Sequence, residues 1–282
     1  MTKGWIALDI DGTVTVGLNP IPHETASYLG KLQASGWNLV FITGRTYSFA
    51  QKAISRLDFP FYLAVQNGTD ILSMPGGKII DQRYLDKQAI QQVENAYRGQ
   101  EEDFFIYAGY EEGDFCYYRP KRFSEDYLDY FKKLMELSPE PWRAVTSFDA
   151  LEQEQFSLIK CLGPEESMLH VERKLQQVPG LEVITIRDPL NPKLHCLLVT
   201  DAQASKGYVI DRLIKKVNKS EKTGNIIAAG DDRNDLSMLL KADIRIVMST
   251  APEEVQKEAD ILAKPAEQNG IIEALVKATG VG

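Results

Sequence analysis

The 282-residue chain is 44% hydrophobic and 26% charged, the balance of an ordinary globular protein with one large or two modest cores. Its net charge of −8 argues against nucleic acid or an anionic membrane as the main partner, yet leaves room for a small anion held by a cation or by local positive groups. Cys116, Cys161 and Cys196 form no CxxC pair or zinc-like cluster, no apolar run nears the roughly 18 residues of a membrane span, and no signal peptide leads the first strand, so the cytoplasm is the expected compartment.

Trp5–Leu8 is a short apolar run that reads as a buried strand, and it ends in Asp9-Ile10-Asp11-Gly12-Thr13. Two carboxylates so close resist joint ionisation, so one takes up a proton or both are held by a cation. The same residues would also suit an Asx-type turn on Asp11-Gly12 that merely closes the strand. His23–Ser35 has apolar residues at helical spacing, with Gly36 as its cap. Trp37–Ile42 is a second strand, ending at Thr43-Gly44-Arg45. A helix over Tyr47–Leu57 and a strand over Phe61–Val65 follow, then Gln66-Asn67-Gly68. This alternation predicts a doubly wound parallel sheet, in which ligands bind at the carboxyl ends of strands. Asp9, Thr43 and Asn67 should therefore converge on one crevice.

From about residue 82 to 199 the texture changes. Strands rich in aromatics alternate polar and apolar residues (104–110, 115–119, 156–162, 181–186 and 193–199), with helices over 88–97, 125–137 and 165–177. That pattern predicts an inserted α+β domain with an antiparallel sheet and helices on one face. After Thr200 the first pattern returns. Ala204–Lys216 is helical, Asn225–Ala229 is a strand ending in Gly230-Asp231-Asp232-Arg233-Asn234-Asp235, and further helices alternate with strands at Ile244–Met248 and Ala259–Ala263. The fold class is thus α/β, with a discontinuous core (1–81 and 200–282) and an inserted domain (82–199).

Two acid clusters, Asp9/Asp11 and Asp231/Asp232/Asp235, stand at the ends of strands that would neighbour each other. Hard oxygen donors in that arrangement suit Mg²⁺, which usually binds a few carboxylates plus a substrate phosphate. Thr43 offers a hydroxyl to a phosphate oxygen, Gly44 leaves its amide accessible, and Lys206 supplies a point charge near a helix start. Such a set offers the positioning and neutralisation that phosphoryl transfer needs, with an aspartate as a possible nucleophile.

These motifs, in this order, resemble those of haloacid dehalogenase-superfamily phosphatases of the Cof type, whose cap lies between the second and third motifs. The match runs through Asp9-Ile10-Asp11-Gly12-Thr13, Phe41-Ile42-Thr43-Gly44-Arg45, Asn67-Gly68, Ala204-Ser205-Lys206-Gly207 and Gly230-Asp231-Asp232-Arg233-Asn234-Asp235. The resemblance implies a Rossmann-like core with a specificity cap, and a Mg²⁺-dependent phosphatase acting through an aspartyl-phosphate. It implies Asp9 as nucleophile and metal ligand, and Asp11 as general acid and base whose backbone carbonyl also reaches the metal. Asp231 would be the main further ligand, and Asp235 would support the metal or orient Lys206. Thr43 and Lys206 would hold phosphate, with Lys206 also neutralising Asp9, and Asn234 would help bind phosphate or substrate. Gly44 and Asn67 are further candidate phosphate or substrate contacts, and Arg45 reads as a cap or salt-bridge residue or as a substrate contact.

Asp232 stands where relatives usually have a small residue, and it is expected to face solvent. His23 reads as a surface residue, whereas His195, Arg187, Asp188 and Lys193 are candidate substrate contacts. Tyr107, Tyr110, Tyr117 and Tyr118 read as sheet packing, and Cys196 as inert. The motifs do not separate a phosphatase from a phosphomutase or phosphotransferase. A non-catalytic phosphate-binding protein would be expected to lack Asp9, Asp11 or Lys206, all of which are present. The expected partner is a small phosphorylated metabolite, a sugar phosphate or similar, and the expected state a monomer or homodimer.

Overall fold

The first apolar run is a strand with every residue buried, β1 (Gly4–Asp9). Residues 3–137, 139–188, 191–217 and 224–282 are described by a computed structural model. The next strands are β2 (Trp37–Ile42), β3 (Phe61–Val65), β4 (Asp70–Met74), β5 (Lys78–Gln82), β6 (Leu85–Asp86), β7 (Phe104–Tyr107), β8 (Cys116–Tyr118) and β9 (Trp142–Ala144). After them come β10 (Gln155–Phe156), β11 (Leu158–Gly163), β12 (Leu181–Arg187), β13 (His195–Asp201), β14 (Asn225–Gly230), β15 (Ile244–Met248) and β16 (Ile261–Ala263). The helices are α1 (His23–Ala34), α2 (Tyr47–Ile54), α3 (Lys87–Ala96), α4 (Glu125–Leu137), α5 (Glu165–Leu175), α6 (Lys206–Val217), α7 (Leu236–Leu239), α8 (Glu253–Gln256) and α9 (Gly270–Thr279). Two compact units result: Met1–Arg45, Ala50–Gln82 and Ser205–Gly282 form one, Thr46–Phe49 and Arg83–Ala204 the other.

In the first unit an eight-stranded sheet runs β16-β15-β14-β1-β2-β3-β4-β5. Six strands are parallel, and β4 and β5 add an antiparallel hairpin at one edge. Successive side chains of β1 point to opposite faces, so Trp5 and Ala7 pack with Val209, Ile210 and Leu213 of α6 while Ile6 and Leu8 face the other way. Each fully buried aliphatic side chain contributes about 1.5–3 kcal/mol, which is why a parallel sheet covered on both faces reads as continuous apolar runs. No strand is predicted between Asn67 and Gln82, yet the hairpin stands there, turning through Pro75-Gly76-Gly77. Its outer strand is half-exposed and carries mixed polarity, so no run of apolar residues announces it.

The second unit holds a six-stranded sheet in the order β12-β13-β11-β7-β8-β9. Two expectations need correction. The β8–β9 pair is parallel, unlike the other pairs of this sheet. Both faces are covered: Ile106, Ile159 and Val199 meet α3 and α5, while Phe105, Leu158 and Leu198 meet Phe131 of α4 with Phe123 and Trp142. A second apolar face requires that cover, because Phe105 alone stacks on Phe123 at 5.3 Å and lies edge-on to Phe131 at 4.8 Å. The tyrosines pack as expected, Tyr117 against Phe115 and Tyr118 against Trp142. Asp188 is tied down locally, accepting from the Tyr130 hydroxyl (2.6 Å) and the Cys196 thiol (3.2 Å). Burial pushes that thiol up to about 12, in keeping with an inert cysteine. His195 lies 3.6 Å from Glu165, at the start of β13. The segment Thr46–Phe49 groups with this unit, where Asp114 accepts from the Ser48 amide at 2.7 Å and hydroxyl at 3.1 Å.

Candidate active site

Strand register decides which residues meet. Leu8 pairs with Ala229 on one side and Phe41 on the other, Asp9 pairs with Ile42, and Ile42 with Ala64. Just beyond these pairs, Asp9, Thr43 and Asp231 stand at the carboxyl ends of their strands, and Asn67, past the end of β3, donates its amide to the Thr43 carbonyl; Asp9, Thr43 and Asn67 are the three residues expected to converge. Across this end reaches the first residue of α6. The Lys206 ammonium donates to Asp9 Oδ1 at 2.5 Å and to Asp235 Oδ1 at 2.7 Å, with all three side chains buried. Asp235 spends its other oxygen on the backbone, accepting from the Asp231 amide at 3.0 Å and the Asp232 amide at 3.1 Å. It therefore orients Lys206 and shapes the acidic turn together.

Ligand oxygens of Asp9, Asp231 and Asp235 lie within 4.8 Å of one another. Burial, helped by Asp235, Asp231 and Asp11, pushes the Asp9 carboxyl well above its usual range, and Lys206 offsets only part of this. Asp231 is pushed up to about 7 by burial, then by Asp235, Asp232 and Asp11, again against Lys206. Burial works against the charge on Lys206, but Asp235 and Asp9 outweigh it and hold its pKa above the usual lysine value. Three carboxylates beside one ammonium would, if all were ionised, leave excess negative charge among largely buried groups. Hard oxygens this close fit a small divalent cation such as Mg²⁺.

A pH dependence follows from these directions. Without metal, Asp231 keeps in the folded state a proton that the unfolded chain gives up near pH 4. Folding stability should then fall as pH rises from about 4 to about 7. Added Mg²⁺ favours the ionised trio, so its stabilising effect should grow over that window. Thermal melting at pH 5 and pH 8, each with EDTA or Mg²⁺, checks this. A magnesium-induced rise in Tm no larger at pH 8 than at pH 5 would contradict it.

Asp11 is placed differently. Its carboxylate lies outside the trio and is gripped by Arg45, whose Nε donates to Oδ2 at 3.0 Å and whose Nη2 donates to Oδ1. Gly12 then turns the chain at φ +72°, where a Cβ would collide with Asp231 Oδ2, so only glycine lets the two acid loops approach. Thr43 is fully buried, and its hydroxyl oxygen accepts from the Arg45 amide at 3.1 Å, which leaves the hydroxyl hydrogen to donate. Gly44 runs beside Asn67, whose Oδ1 is buried without a hydrogen-bond partner. Asn67 itself sits at φ 60° in a turn fixed by its amide donating to the Thr43 carbonyl (2.8 Å). Arg212 secures the far side of that turn, donating to the Gly68 carbonyl and to Asp81, each at 2.7 Å.

Asn234 lies partly exposed in the acidic turn, and Asp232 is exposed and caps it, accepting from the Arg233 amide at 2.7 Å. Sequence reasoning missed Arg212. The available signal was a charged residue on the apolar face of α6, between Ile210 and Leu213. Arg45, read from the sequence as a cap or salt-bridge residue or as a substrate contact, places its guanidinium on Asp11 and the Gly17 carbonyl.

A family model for haloacid dehalogenase-like hydrolases matches residues 6–275. The chain belongs to this family. Proteins similar to it include "Phosphatase YwpJ" of Bacillus subtilis, 24% identical over 94% of this chain and 96% of that one. Another is "HMP-PP phosphatase" of Yersinia enterocolitica, 24% identical over 89% of this chain and 86% of that one. Among solved structures, a subclass IIB sugar phosphatase of the superfamily shares the fold with a TM-score of 0.74, at 21% identity over 98% of this chain and 99% of that one. The protein is an enzyme of the phosphatase type within this family, and the Cof-type resemblance read from its motifs holds. No helix among the described residues is long and apolar enough to cross a membrane.

Proposed function

We propose that the protein is a Mg²⁺-dependent phosphomonoester hydrolase that works through an aspartyl-phosphate, an acyl phosphate on Asp9. The observation that carries this reading is the buried Lys206 ammonium shared between Asp9 and Asp235, with Asp231 beside them. Lysine neutralises a carboxylate that must approach an anionic phosphate, and it holds that carboxylate in one rotamer. Asp9, Asp231 and Asp235 would hold Mg²⁺, which when bound neutralises charge on the transferring phosphoryl group.

In the first half-reaction an Asp9 oxygen forms a bond to phosphorus as the ester P–O bond breaks. Asp11 gives its proton to the leaving alkoxide. In the second, water attacks phosphorus, Asp11 takes the water's proton, and the Asp9–phosphorus bond breaks to release inorganic phosphate. The Thr43 hydroxyl and the Lys206 ammonium hold phosphate oxygens throughout, with Gly44, Asn67 and Asn234 as further contacts.

The inserted unit would supply substrate choice, and a small phosphorylated metabolite, a sugar phosphate or similar, is the proposed substrate class. Relatives named for small phosphorylated substrates support this. Three free, buried cysteines accord with a reducing compartment such as the cytoplasm. Inorganic phosphate release from a panel of phosphorylated metabolites, with Mg²⁺ or with EDTA, tests the reading. Metal-dependent release is expected, ranked in favour of sugar phosphates. Release undiminished in EDTA would overturn the metal assignment, and release from none of the esters would overturn hydrolysis.

A further inference from the structure

We propose that Arg45 is the positioning residue of Asp11 rather than a ligand of the transferred phosphate. The proposal rests on the reading of Asp11 as the acid of the first half-reaction. Arg45 makes a two-point contact with this carboxylate: Nε donates to Oδ2 at 3.0 Å and Nη2 to Oδ1, while Nη2 also donates to the Gly17 carbonyl at 3.1 Å. The two partners differ sharply in exposure, with the Arg45 side chain 5% exposed and that of Asp11 51% exposed. A buried, immobile guanidinium thus presents an outward-facing carboxyl group. Planar forks of this kind fix the orientation of a carboxylate, which a lysine's single point charge does not.

Arg45 is itself locked in place. Its amide donates to Thr43 Oγ1 at 3.1 Å, and its carbonyl accepts from the Gln66 amide at 2.8 Å. The loop it grips is closed on itself, with the Thr15 amide and hydroxyl each donating to the Ile10 carbonyl at 3.0 Å and the Gly12 amide donating to the Thr15 carbonyl at 3.1 Å. Holding both Asp11 and Gly17 therefore fastens the whole loop after β1 to the end of β2. Phosphate already has a cation in Lys206, on the Asp9 side of the site. On the Asp11 side, among the described residues, it is Arg45 whose side chain hydrogen-bonds the half-exposed carboxyl group and fixes it.

The test separates the two roles by leaving group. Proton donation matters for an alkyl phosphate, whose alkoxide leaves poorly, and hardly at all for p-nitrophenyl phosphate, whose phenolate leaves unaided. The ratio kcat/KM covers only the steps through leaving-group departure, so hydrolysis of the Asp9 acyl phosphate does not enter. Arg45→Met should lower kcat/KM for glycerol phosphate on the order of 100-fold, and for p-nitrophenyl phosphate by less than about threefold. Arg45→Lys should recover only part of the loss. In an Asp11→Asn background, Arg45→Met should cost nothing further with the alkyl ester. Equal losses with both esters, or additive losses in the double variant, would overturn the proposal and make Arg45 a phosphate ligand. Should Arg45→Met fail to fold, the alkyl-to-aryl ratio of Arg45→Lys decides in the same way. A wild-type enzyme inert toward both esters would instead sink the hydrolase reading, and this proposal with it.

Discussion

Asp9→Asn is expected to lower phosphate release on the order of 10³-fold or more, with no loss of fold. An amide nitrogen in place of the carboxylate oxygen cannot carry the phosphoryl group, and the remaining amide oxygen is a poor nucleophile. The substitution is nearly isosteric, and it removes one of three neighbouring carboxylates, itself one whose charge burial penalises. Stability in EDTA at pH 8 should therefore be unchanged or higher, because less negative charge is confined. Phosphate release and thermal melting, measured on the same preparations, check both halves. Activity that survives in a folded Asp9→Asn protein would exclude Asp9 as the nucleophile. Activity lost together with the melting transition would mean that the carboxylate serves the fold.

Much of the sheet was legible because parallel strands buried on both faces leave continuous apolar runs, as in Trp5–Leu8, Trp37–Ile42 and Phe61–Val65. What escaped notice lacks that signature. The β4–β5 hairpin lies toward a sheet edge with a half-exposed outer strand, and Trp142–Ala144 is three residues long with two of them exposed. Site residues divide along the same line. Carboxylates at strand ends are visible locally, since the strand that carries them is visible. Partnerships across the chain are not: Lys206 meets Asp9 over 197 residues, and Arg45 meets Asp11 over 34. The first was anticipated as a point charge near a helix start able to pair with phosphate and an aspartate nucleophile, and again through the resemblance of ordered motifs. The second went unseen, because an arginine after a Thr-Gly turn, read as a cap, salt-bridge or substrate residue, has no spacing rule that ties it to an acid in the loop after another strand. Arg212 is similar, a buried cation whose partners, Asp81 and the Gly68 carbonyl, are brought to it by the fold alone.

Lys206→Met should damage stability and activity together. The side chain keeps its length and apolar stem, but Asp9 and Asp235 lose the ammonium that they share while staying buried. Removing one partner of a buried ion pair typically costs about 3–5 kcal/mol, because the other charge is left uncompensated. The sign of the pH effect separates this cause from simple loss of packing. Asp9 already resists ionisation, and without Lys206 it would resist more, so the variant's penalty should be largest at pH 8 and shrink toward pH 5 as the carboxyl takes a proton. Mg²⁺ supplies positive charge to the same trio, so it should recover part of the lost stability. It should not recover activity, because the lysine also holds the phosphate and fixes the Asp9 rotamer. A fall in kcat on the order of 10²–10³-fold in saturating Mg²⁺ is expected. Denaturant unfolding at the two pH values gives the stability terms. A penalty that is constant with pH and indifferent to Mg²⁺ would show that the ammonium does not compensate these carboxylates, and would remove the electrostatic basis of the site.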